Sequence, residues 1–61
     1  MNSNESHFVA VGVYRNLRVT VRTNTFEEAI RACKQIMFHN PPISTCHIED
    51  RKGNTLKVVK R

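Results

Sequence analysis

The sequence predicts an α+β fold, a two-layer ββαββ sandwich in which a four-stranded, mostly antiparallel sheet carries one helix on one face. Three observations predict it. Runs of alternating apolar and polar residues lie on both sides of a central segment with helical periodicity. Each pair of runs is joined by a turn signal, one of two residues and one containing glycine. The chain has 61 residues, which suits one small domain with no room for a second. Residues 1–6, "MNSNES", are polar and read as a disordered N-terminal tail, leaving 7–61 as the single domain.

The first strand is "FVAVGVY", Phe8 to Tyr14. It alternates Val9, Val11 and Val13 with Phe8, Ala10, Gly12 and Tyr14, and the three valines are expected on the core side. Arg15 and Asn16 form the turn, with Asn16 expected to take the left-handed backbone. The second strand, "LRVTVRT", runs from Leu17 to Thr23, with Leu17, Val19 and Val21 inward and Arg18, Thr20 and Arg22 outward.

The period then changes. Thr25 followed by Glu28 is a capping-box pattern, and Glu27 and Glu28 suit the positive end of a helix starting at Phe26. Phe26, Ala29, Ile30, Cys33, Ile36 and Met37 form one apolar stripe. Asn40 offers a stop and Pro41 and Pro42 forbid continuation, so the helix is expected to end near His39. In "ISTCHIED", Cys46 and Ile48 alternate with Thr45, His47 and Glu49. Asp50 and Gly53 in "DRKGNT" mark a turn with a positive φ at the glycine, and "TLKVVK" supplies the last strand with Leu56 and Val58 inward.

Several functional classes are disfavoured by composition. The two cysteines, Cys33 and Cys46, make no disulfide framework, and "MNSNESH" does not resemble a signal peptide, so a cytoplasmic protein with reduced thiols is expected. No apolar run approaches the ~18 residues of a membrane span, and no membrane association is expected. No Ser-His-Asp set or glycine-rich phosphate loop is present, since Gly12 and Gly53 stand alone; neither catalysis nor a cofactor is expected. Cys33, His39, Cys46 and His47 are the right residue types for zinc, but their spacing is not that of a zinc clip, and adjacent Cys46 and His47 point to opposite faces of a strand. No metal site is expected.

What remains is charge. Ten Lys and Arg against five Asp and Glu give a formal net charge of +5, which favours an acidic partner. The sheet face away from the helix has no second layer to cover it. The expected side-chain set there is Phe8, Tyr14, Arg18, Thr20, Arg22, Thr45, His47, Glu49, Lys57 and Val59, with Lys52, Lys60 and Arg61 adding positive charge at one end. Aromatic rings that stack on bases beside cations that meet phosphates suit single-stranded nucleic acid. Phe8, Tyr14, Arg18, Arg22, His47, Lys57, Lys60 and Arg61 are therefore the expected binding residues, and nucleic acid the expected partner. The alternative is a protein-binding regulator or inhibitor, antitoxin-like or an antagonist of the kind phages and mobile elements encode. It would grip an acidic protein with the same face, or pair with a second copy as a homodimer.

Overall fold

The computed structural model describes residues 7–61, so the expected tail over 1–6 lies outside the described residues. The elements are β1 (Phe8–Tyr14), β2 (Leu17–Thr23), α1 (Phe26–His39), β3 (Thr45–Glu49) and β4 (Thr55–Lys60). They form one four-stranded sheet in the order β2-β1-β3-β4, with every neighbouring pair antiparallel. The α+β two-layer fold is the one the sequence predicts. Because β2 is an edge strand, α1 carries the chain back across one face and sets β3 down on the far side of β1.

Local chemistry sets the ends of α1. The Thr25 hydroxyl accepts from the Glu28 backbone N–H at 3.1 Å. The Glu28 carboxylate reaches back to the Asn24 N–H at 3.3 Å, one residue earlier than a standard capping box. At the other end, both the backbone N–H and the side-chain Nδ2 of Asn40 donate to the Ile36 carbonyl, at 3.0 and 2.8 Å. In the β3–β4 turn, Asp50 Oδ1 accepts from the N–H groups of Lys52 and Asn54, each at 2.9 Å. These bonds, that from Asn54 first, hold the Asp50 carboxyl below its ordinary pKa. Gly53 takes the expected positive φ, 90°. In the first hairpin the left-handed residue is Arg15, with φ 56°, and not Asn16.

The sides of β1 and β4 differ from expectation. Paired residues of an antiparallel ladder share a face. Tyr14 pairs with Leu17, Gly12 with Val19 and Ala10 with Val21. Ala10, Gly12, Phe8 and Tyr14 therefore stand on the helix side with Leu17, Val19 and Val21, and the valines of β1 face away. A two-residue turn imposes this parity, because the residues that flank it are opposite each other. Packing agrees with it. The helix comes so near to β1 that a Cβ added to Gly12 would lie 2.7 Å from Ile36 Cγ2, so only the small residues of β1 fit beneath it. On β4, Val59 pairs with buried Cys46 and Lys57 with buried Ile48, while Val58 pairs with His47 on the open side. The register shifts between Ile48 and Glu49, and half-exposed Leu56 lies at that irregularity.

The core thus consists of Ala10, Cys46, Ile48 and Val59 from the sheet and Ala29, Ala32, Cys33, Ile36 and Met37 from α1, closed by Ile43. Ile43, in the segment after the prolines, is fully buried. Phe8 joins Phe26 edge to face at 5.8 Å at the N-terminal end of the helix.

Candidate functional site

The face of the sheet away from α1 is built around a stripe of valines. In the register, Arg22, Val9 and Glu49 make one row; Thr20, Val11, His47 and Val58 make the next; Arg18 and Val13 begin the third. Val11 is only 1% exposed although it is not part of the core cluster, so its neighbours on the open side close over it. Val13 and Val58 remain 47% and 52% exposed. With Val11, Thr45 and His47 they line a shallow groove of about 260 Å³.

Charge flanks this stripe. Arg18 and Arg22 are exposed on the edge strand β2, ~13 Å apart along it. Neither enters an ion pair or hydrogen bond among the described residues. Across the stripe, His47 Nε2 lies 2.7 Å from Glu49 Oε2, both side chains half-buried. Their separation of two residues on one strand puts them on one face, and the contact holds the imidazole beside Val11 and Val58.

Of the expected binding residues, the structure brings Arg18, Arg22 and His47 onto this face with Lys60 at its rim, and places the others elsewhere. Phe8 is not there: it is half-buried against Phe26 on the helix side. Tyr14 is also on the helix side, half-exposed at the hairpin, with the Arg15 guanidinium 5.3 Å from its ring centre. Lys57 stands on the helix side opposite Ile48, as does buried Val59. Lys60, opposite Thr45 on the edge strand, lies at the rim. Arg61 is committed to the fold, its Nη2 donating to the carbonyls of Met37, Pro41 and Ile43 at 2.7, 3.1 and 2.6 Å. Lys52 sits in the β3–β4 turn, at the opposite end of β4 from Lys60 and Arg61.

The valines are absent from the set expected on this face, and the signal that finds them is the turn parity described above. Ring stacking on this face is therefore lost, and a central apolar stripe takes its place.

The thiols face inward. Cys33 and Cys46 are free and buried. Burial, then the hydrogen bond and charge of Cys33, pushes the Cys46 thiol up to about 12, and burial likewise raises Cys33. Both stay protonated at neutral pH. Among the described residues no three His, Cys, Asp or Glu side chains come together as a metal cluster. No helix among them is long and apolar enough to cross a membrane.

No protein-family model matches the chain, and neither a curated protein nor a solved structure does.

Proposed function

We propose that this protein is a non-catalytic binding module that docks an acidic protein surface on its open sheet face, acting as a regulator or inhibitor of that partner. The observation that carries the reading is the arrangement of exposed Val13 and Val58 beside an edge strand bearing Arg18 and Arg22. An apolar centre with a charged rim is the usual anatomy of a protein interface, and arginine is among its favoured anchors. Nucleic acid gains less from this face. Arg18 and Arg22 would meet phosphates, but no aromatic ring of the described residues lies there to hold a base. A second copy is also the weaker occupant, because each chain brings a net charge of +5 and like charges across an interface oppose association.

The test is purification of the tagged protein from cells with and without nuclease. A stoichiometric protein partner that survives nuclease is expected to be lost with Val13→Asp or Val58→Asp and weakened by Arg18→Ala with Arg22→Ala. The exposed Arg18 and Arg22 changes should leave stability within about 0.5 kcal/mol of the parent, and a thermal melt of each valine variant checks that it is folded. Co-purifying nucleic acid that disappears with nuclease, with no valine-dependent partner, would overturn the reading.

A further inference from the structure

In the helix layer, the last turn of α1 displays an aromatic ring that the core does not use. Phe38 is 74% exposed, the most exposed of the large apolar side chains among the described residues, while its neighbours Ile36 and Met37 are buried. Phe38 and His39 meet edge to face at 5.2 Å, which leaves a face of the Phe38 ring toward solvent. Beside it is a hollow of about 300 Å³ whose walls are Lys34, Met37, Phe38, Lys60 and Arg61. Among the described residues no carboxylate side chain lines it. Arg31, Lys34 and Phe38 also share one stripe of the helix, at i, i+3 and i+7.

We propose that this hollow is a second binding site, for one nucleotide of a single-stranded nucleic acid, with the base stacked on Phe38 and the phosphates held between Lys34 and Lys60. A π face next to cationic side chains is the arrangement that holds an unpaired base and its backbone. The volume, at the lower end for ligand sites, suits a single planar group.

The C-terminal end of a helix ordinarily repels anions, because its terminal carbonyls carry partial negative charge. Here two of those carbonyls, of Ile36 and Met37, have donors. Asn40 donates twice to the Ile36 carbonyl, and Arg61 Nη2 donates to that of Met37 at 2.7 Å. Arg61 thus sets a positive charge against that end, on the wall of the hollow. The aromatic and basic combination expected on the open sheet face is found at the end of the helix instead. This inference goes beyond the protein-docking reading and stands or falls without it, since one rests on Phe38 and Lys34 of α1 and the other on Val13, Val58, Arg18 and Arg22 of the sheet.

Fluorescence anisotropy with a short labelled oligouridylate, at low and at physiological salt, tests it. The parent should bind, and Phe38→Ala and Phe38→Leu should each weaken binding at least about 5-fold, the lower limit for loss of one base-on-aromatic stack. Phe38→Tyr should bind as the parent does. Lys34→Ala with Lys60→Ala should weaken binding and flatten its log–log salt dependence by about 0.7 for each phosphate no longer neutralised. Phe38 is exposed, so thermal melts of its variants should coincide with the parent. Absence of binding by the parent at low salt would overturn the proposal. So would Phe38→Leu binding as tightly as the parent, equal displacement by polyglutamate, or a greater loss from Arg18→Ala with Arg22→Ala than from the Phe38 variants. None of these results bears on a nuclease-resistant protein partner on the valine face.

Discussion

Gly12 of β1 lies directly beneath Ile36 of α1: a Cβ on Gly12 would stand 2.7 Å from Ile36 Cγ2 and 3.1 Å from Ile43 Cγ2. Both isoleucines are buried, so neither has free space into which to withdraw. The smallest substitution must push the helix or the post-proline loop outward. Gly12→Ala is expected to destabilise the protein by about 1–3 kcal/mol, the usual cost of overpacking. Chemical denaturation would show a lower midpoint with an unchanged slope. An unchanged midpoint would mean that the helix rides higher on the sheet.

Arg61→Ala removes the donor shared by three carbonyls, two of them in part-buried hydrogen bonds. Bonds from a charged donor contribute about 1.5–3 kcal/mol, and part-buried acceptors left without a partner add to the loss. A fall in Tm of roughly 4–8 °C per kcal/mol follows for a domain of this size. All three bonds come from the single nitrogen Nη2, and an ammonium also offers three donors, so Arg61→Lys should recover much of the loss and Arg61→Gln little. A melt unaffected by Arg61→Ala would show that solvent replaces the guanidinium without loss.

The buried thiols give a pH dependence of defined sign. Below the ordinary thiol pKa of 9.0, Cys46 is protonated whether the chain is folded or unfolded, and its contribution to stability is constant. Above 9.0 the unfolded chain ionises first, while the folded thiol holds its proton to about 12. Stability should therefore decline as pH rises through that window. At neutral pH neither Cys33 nor Cys46 should react with a thiol reagent in the folded protein, and both should react in denaturant. Rapid labelling of the native protein would contradict the burial of both groups.

Arg15 occupies the left-handed backbone region, φ 56°, which costs an ordinary residue about 1–2 kcal/mol. Arg15→Gly relieves that cost and gives up an exposed cation–π contact with Tyr14 worth about 0.5–1 kcal/mol. A net gain of about 0.5–1 kcal/mol is expected. Arg15→Val should lower stability, since a β-branched residue fits this region least. Equal midpoints for the glycine and valine variants would place the strain elsewhere in the hairpin.

The order and bounds of the elements were legible because each has a local cause: alternation in the strands, the Thr25 cap and the Asn40 stop on the helix, and Asp50 and Gly53 in the second turn. The faces of β1 were less so. Apolar residues usually mark the inward side, and Val9, Val11 and Val13 form the more apolar set; yet α1 needs small residues where it crosses β1, and that demand is tertiary. The spacing of two residues between Tyr14 and Leu17 was the one local feature that forces their common face. On β4 the register shift near Glu49 changed the parity, which alternation alone does not reveal. The roles of Ile43 and Arg61 were hidden for a different reason. Each acts on residues distant in sequence, and neither belongs to a periodic pattern.

The Arg61 clamp also dictates an order of events for a chain that grows from its N-terminus. The β1–β2 hairpin is complete once Thr23 has been made, but β1 keeps one open edge until β3 arrives to cover it. The carbonyl of Met37 waits longer still, for a guanidinium 24 residues further on. The carbonyls of Pro41 and Ile43 likewise lack this donor until residue 61 has been made. The interval before β3 is made is when the uncovered edge of β1 is most open to pairing with a neighbouring chain.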